Sequence, residues 1–285
     1  MSESPAYGSA SMTRALRRVF LRRPDEASCS HWARFGWRSA PSYARLVSEH
    51  EALAVQLEGV GVSVVMGEPI PGALDSIYAF DSAIIAPRGA IVLRSGKDVR
   101  QVEAAPTAAD LEGAGVPVLA TLAAPATVDG GDTTWLDDRT LLVGRGYRTN
   151  DAGVTMLRAA LDGVEVLEFD LPHHHGSTEV MHLMSLFSLV DHDAAVAYLP
   201  LMPVRLVELL RDREIRLIEV PDGEFESMGP NVLALAPGVA LALERNRETI
   251  RRLEHAGIEV LTYNGVELSK GDGGPTCLTR PLLRD

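Results

Sequence analysis

A repeat of about 50 residues constrains this chain more than any other feature. Five short β-branched runs, Val62–Met66, Val116–Ala120, Val164–Glu168, Ile215–Glu219 and Ile258–Thr262, start 54, 48, 51 and 43 residues apart. Four are introduced by similar text, Leu57-Glu-Gly-Val-Gly-Val, Leu111-Glu-Gly-Ala-Gly-Val, Leu161-Asp-Gly-Val and Leu253-Glu-His-Ala-Gly-Ile, in which the glycine suits a left-handed helix C-cap before a strand. Further strand candidates precede the intervening helices: Ser82–Ala86 with Ala90–Leu93, Thr140–Val143, Ala194–Tyr198, and Val232–Ala236 with Val239–Leu243. Five ββαβ-type units fit an α/β fold closed into a five-bladed propeller with pseudo-fivefold symmetry, since closure removes sheet edges. A doubly wound sheet would show the same alternation. With no linker or low-complexity tract, residues 1–285 read as one domain, with 1–11 a loose terminus.

Charge and cysteine content narrow the function. With 27 basic against 39 acidic side chains the formal charge is -12, which repels nucleic acid and anionic membranes and favours a small cationic ligand. No apolar stretch is long enough for a membrane span. Two cysteines, and no secretory signal at Met1, fit a reduced, cytoplasmic compartment. The basic stretch Arg14–Arg23 carries Leu16, Val19 and Leu21 and reads as a strand with solvated arginines.

Three segments carry candidate chemistry. Cys277 lies in Gly-Gly-Pro-Thr-Cys, a glycine-rich turn that could expose a thiol, although a free cysteine is more often packing. His182 stands inside the apolar run Glu179–Val190 and is the natural proton carrier at neutral pH. Asp129-Gly-Gly-Asp132 couples two carboxylates to glycines that let backbone approach closely. His173-His-His175 invites a metal reading, but three consecutive residues cannot easily face one ion, so neither a metal nor another cofactor is expected. Asp191-His-Asp193 reads as a turn between strands, and Cys29 as incidental.

Together these residues resemble a family. The C-terminal text, Asn231 to Asn246, Ala256 to Leu261 and Gly273-Gly-Pro-Thr-Cys277, is similar to the last repeat of arginine deiminases. Leu74-Asp-Ser-Ile-Tyr-Ala-Phe-Asp81, Arg94-Ser-Gly96, Thr127 to Asp132, Gly146 to Asn150 and Met181-His-Leu183 resemble dimethylarginine dimethylaminohydrolase. Both belong to the guanidino-group-modifying superfamily, whose fold is the α/β propeller called a pentein. The resemblance implies that Cys277 attacks the guanidinium carbon, His182 moves protons, Asp129 orients His182, and Asp81 binds the guanidinium. It also implies that Arg94 and Arg148 hold the substrate carboxylate, as a planar N–H fork suits a carboxylate.

This chain departs from the pattern at three positions. Asp129 stands where both enzymes usually have Glu, Phe80 where the dimethylarginine hydrolases have an acid, and Met184 where deiminases have a second guanidinium-binding Asp. Unpaired guanidinium donors cost about 1–3 kcal/mol each when buried, so free arginine fits poorly and an N-methylated or otherwise N-substituted arginine fits better. Either Phe80 and Met184 wall the substituent, or both face the core and Asp75 or Asp132 supplies the missing carboxylate. The leading expectation is a hydrolase of such guanidines giving citrulline and an amine through a Cys277 thiouronium. Arginine deiminase, amidinotransferase and a non-catalytic pentein of the ribosome anti-association type are the alternatives. Self-association is left open.

Overall fold

The computed structural model describes residues 6–177 and 181–285. Counting helices of two turns or more, the order is β1 (Leu16–Arg22), α1 (Tyr43–Gly59), β2 (Ser63–Gly67), β3 (Ala83–Ala86), β4 (Gly89–Val92), α2 (Ala104–Gly113), β5 (Val118–Thr121), β6 (Thr133–Asp137) and β7 (Thr140–Arg145). It continues through α3 (Asp151–Ala160), β8 (Glu165–Asp170), β9 (Phe187–Asp191), β10 (Ala194–Ala197), α4 (Val204–Asp212), β11 (Arg216–Glu219), β12 (Leu233–Ala236), β13 (Val239–Leu243), α5 (Arg247–His255), β14 (Glu259–Tyr263) and β15 (Arg280–Arg284). Among the described residues the mixed α/β chain forms five three-stranded sheets: β15-β1-β2, β3-β4-β5, β6-β7-β8, β9-β10-β11 and β12-β13-β14. Each pairs its first strand antiparallel and its third strand parallel to the middle one. The parallel step needs a crossover, which one of the five helices supplies in every unit. The first sheet differs only in drawing its antiparallel strand from the far end of the chain, with Leu16 opposite Arg284.

The recurring glycine does what its position requires. Gly61, Gly115, Gly163 and Gly257, just beyond α1, α2, α3 and α5, all have φ between 78° and 89°. The unit without that text uses Glu214 at φ 57°, so its helix ends in the same left-handed turn without the sequence signal.

Middle strands are buried throughout β4 and β10, while β5, β11 and β14 are half exposed, so each unit shows its parallel strand and helix to solvent. The arginines of β1 are not uniformly solvated: Arg17 is exposed, but Arg22 is buried against Asp110 at 2.8 Å, and Arg18 donates to the Ala114 carbonyl at 2.7 Å. Of the segment read as a loose terminus, residues 1–5 lie outside the described residues, and Gly8 hydrogen-bonds the Leu282 carbonyl at 2.7 Å. Among the described residues no helix is long and apolar enough to cross a membrane.

Candidate active site

Every sheet is entered through a tight turn, and those turns carry the candidate residues. Asp81 lies two residues ahead of β3, Asp129 and Asp132 bracket the turn into β6, and His182 leads the turn into β9. Asn231 lies two residues ahead of β12 and Cys277 three ahead of β15. The same end of all five sheets thus supplies the site. Glycine makes the convergence sterically possible: a Cβ on Gly131 would lie 2.3 Å from His182 Nδ1 and 3.0 Å from Asp81 Oδ1. A Cβ on Gly274 would lie 2.6 Å from Asn231 Oδ1.

Behind the site, Asp129 is fully buried. It accepts from the Gly96 N–H at 3.0 Å and Arg148 Nη1 at 2.8 Å, and meets His182 Nε2 at 3.3 Å. Burial opposes its ionisation, but Arg148 and His182 outweigh that and hold its carboxyl well below the usual range. Asp132 accepts from Thr149 Oγ1 at 2.6 Å and the Leu183 N–H at 3.1 Å. Burial, with Asp129 adding, pushes it up to about 7. His182 lies 3.9 Å from Asp81 Oδ1 through Nδ1. Burial alone would lower its pKa, yet the carboxylates of Asp81, Asp132 and Asp129 raise it.

Cys277 Sγ accepts from Asn231 Nδ2 at 3.0 Å. Burial, assisted by the Asp81 charge, pushes the thiol up to about 11, with Asn231 and Arg100 pulling against it. At neutral pH it rests protonated, and a cation brought to Asp81 would draw it toward thiolate.

Two spaces meet at Cys277 and His182. The inner one, a narrow chamber, is bordered by Asp75, Asp81, Lys97, Arg100 and Arg148. There Asp81 accepts from the Gly131 N–H at 2.8 Å and pairs with buried Arg100, which also donates to Glu103 at 2.9 Å and to the Tyr78 carbonyl at 3.0 Å. Asp75 accepts from Trp37 Nε1 at 2.7 Å and Lys97 Nζ at 2.5 Å. The outer space, a cleft of about 680 Å³ counting the solvent it opens on, is bordered by the apolar Met181, Met184, Phe225 and Met228 and by the polar His174, His175 and Glu226.

The structure therefore brings Cys277, His182, Asp81, Asp75 and Arg148 to one chamber, with Asp129 directly behind. Asp132 sits in that rear layer and borders neither space, so of the two proposed substitute carboxylates only Asp75 reaches the chamber. Arg94 lies elsewhere, donating to Gln101 Oε1 at 2.8 Å and the Ala126 carbonyl at 3.4 Å. Phe80 faces the core, 1% exposed with the Arg280 guanidinium stacked on its ring at 3.7 Å, whereas Met184 borders the cleft. Sequence reasoning missed Lys97, Arg100 and Asn231. Lys97 directly follows Arg94-Ser-Gly96, Arg100 pairs with Glu103 three residues on, and Asn231 holds the place in its repeat that Asp81 and Cys277 hold in theirs.

The arginine deiminase family model matches residues 117–211 and 202–284. The arginine deiminase of Rhodococcus opacus (strain B4) is 35% identical over 196 residues, 56% of this chain and 47% of that protein. The chain thus spans about half the length of the curated relatives it matches. Among solved structures, DDAH from Pseudomonas aeruginosa complexed with citrulline is 21% identical with a TM-score of 0.77, covering 95% of this chain and 100% of that one. The product-bound N-terminal domain of ArgZ, an arginine dihydrolase from the ornithine-ammonia cycle in cyanobacteria, is 20% identical with a TM-score of 0.81, covering 94% and 97%. At these identities the structural matches establish the fold.

Proposed function

Since the chain belongs to the arginine deiminase family, within the guanidino-group-modifying pentein superfamily, we propose that it hydrolyses a C–N bond of a free arginine-like guanidine to a ureido product and an amine, through a covalent Cys277 intermediate. One observation carries the reading: the Cys277 thiol and His182 share a chamber with the Asp81 and Asp75 carboxylates. A guanidinium seated against Asp81 places its central carbon beside a buried thiol and supplies the positive charge that the thiol needs to ionise. As sulfur attacks that carbon the thiol proton passes to His182, which delivers it to the departing amine, and the thiouronium remains on Cys277. Water, deprotonated by His182, then adds to the same carbon and expels the thiolate, leaving the ureido product. Asp129 holds His182 and is itself held ionised by Arg148.

The substrate's far end meets Lys97 and Arg148 across the chamber, which fits an amino-acid carboxylate. Met184 with Met181, Phe225 and Met228 favours an N-alkyl substituent on the reacting guanidine, the cleft receiving the leaving amine. Free arginine is the second reading. Phe80 faces the core and contributes nothing to an apolar wall, which favours it. The finer architecture proposed with this function is a closed five-bladed propeller, supported by five like sheets, by β15 pairing β1, and by contact of β9 with β12 and of β15 with β3.

Comparing kcat/KM for arginine with that for N-methylated arginines, by ureido product, tests the substrate; a more than tenfold preference for arginine overturns the N-substituted reading. Adding an acceptor amine separates hydrolysis from amidino transfer, which would leave an ornithine-like product.

A further inference from the structure

The histidine run that the proposed reaction leaves unused does not act as a block. His173 turns aside, its Nδ1 2.6 Å from the Tyr147 hydroxyl and its ring edge-on to that tyrosine. His174 adopts φ 46°, a left-handed conformation uncommon for a residue with a side chain. The reversal brings the rings of His174 and His175 together, with centroids 3.8 Å apart. Glu226, far along the chain, comes to meet them, its Oε1 3.9 Å from His174 Nε2. Its other oxygen, Oε2, faces Arg38 Nη2 at 3.5 Å, so one lone-pair face of the carboxylate stays directed at the imidazoles. One ligand atom from each of the three residues lies within 4.8 Å of the others.

We propose that His174, His175 and Glu226 form a binding site for a divalent transition-metal ion of the zinc class. Two imidazole nitrogens and one carboxylate oxygen are a donor set that zinc accepts with a fourth position open to water or a ligand. Zinc bonds of 2.0–2.1 Å set tetrahedral donors roughly 3.3 Å apart, so small side-chain rotations complete the set. The ring of Phe225, edge-on to His174 at 6.0 Å and itself stacked on Tyr198 at 4.1 Å, props one ligand in place. All three donors border the cleft that leads to Cys277, so a bound ion stands at its entrance.

Titration of Zn²⁺ by calorimetry into the full chain carrying Cys277→Ser, which removes the thiol as a competing ligand, tests this independently of the proposed reaction. One equivalent should bind, with affinity weakened by more than about 10-fold in His174→Ala and in His175→Ala, and by Glu226→Gln, but unchanged by His173→Ala. Co²⁺ should give the visible spectrum of nitrogen and oxygen ligation. Failure of the parent to bind saturably, or equal affinity in the His174→Ala/His175→Ala double variant, overturns the site.

Discussion

The two spaces that meet at Cys277 differ in what they add to it: charge in one, a mixed wall with a thioether and aromatic side in the other. In the inner chamber the two carboxylates are already engaged: Asp81 with Arg100 and Gly131, Asp75 with Trp37 and Lys97. The outer cleft sets the apolar side chains of Met181, Met184, Phe225 and Met228 beside the polar ones of Arg38, His174, His175 and Glu226. Charges held by several partners are placed before a ligand arrives, so the chamber discriminates by geometry and unpaired-donor cost. Thioether and aromatic surface is adaptable and discriminates by only a few kcal/mol of contact. Under the proposed function, the chamber would decide the class of substrate and the cleft what hangs from it.

The largest effect should come at the atom both spaces share. Cys277→Ser is expected to lower kcat/KM by at least about 10⁴-fold for every guanidine, with no covalent adduct by intact mass; turnover that survives breaks the comparison at its root. Next, Asp81→Asn leaves Arg100 short of one buried partner. Loss of a buried ion pair costs about 3–5 kcal/mol, so a lower Tm should accompany a kcat/KM reduced on all substrates alike. A loss confined to N-substituted guanidines would assign Asp81 to the cleft instead. Third, Met184→Ala should reduce kcat/KM by about tenfold for an N-alkylated arginine and little for arginine, with stability falling because Met184 is buried. Equal effects on both substrates would erase the distinction between the two walls.

The smallest effect concerns Asp132, in the layer behind. A carboxyl raised to about 7 in the folded state binds a proton that the unfolded chain has released, so stability falls as pH rises from about 4 toward 7 and the cost is complete above it. Asp132→Asn should flatten that decline in Tm-against-pH scans. Asp129 has the opposite sign: its stabilisation is present above the unfolded value near 4 and is lost only as pH falls through its depressed one. A decline that persists in Asp132→Asn would place the proton elsewhere.

The repeat and the parallel strand of each unit were legible because a left-handed glycine and a β-branched run are local signals, and the five observed third strands start within two residues of those runs. The first strands β6, β9 and β15 were not recognised. Thr133–Asp137 follows directly on a turn motif, Phe187–Asp191 is swallowed by a longer apolar run, and Arg280–Arg284 carries a proline and two arginines. Those arginines are buried, Arg284 donating to the Arg14 and Ala234 carbonyls at 2.6 and 2.8 Å, a solution no local pattern encodes. Of the residues named from motifs, Cys277, His182, Asp81, Asp75 and Arg148 meet at the chamber while Arg94 and Asp132 do not, and Arg100 and Lys97 escaped because their importance lies in whom they touch: Asp81 and Asp75, 19 and 22 positions away. Phe80 illustrates the converse. Adjacent to Asp81 in sequence, it points the other way, as the 3₁₀ turn Ala79–Ser82 sends neighbouring side chains to different faces.

The pairing of β15 with β1 also sets an order of events. Arg17 and Asp285, joined at 2.5 Å, are 268 positions apart, among the longest loops this chain can close. Contacts of such separation form late, because the entropy of closure comes before any reward. Cys277 stands three residues ahead of β15 and is fixed by that same docking. The other four sheets each form from contiguous text, whereas the turn that carries Cys277 to Asn231 leads into the one strand that must pair with the far end of the described chain. On the proposed reaction, the setting of the Cys277 thiol thus depends on one of the longest-range pairings in the fold.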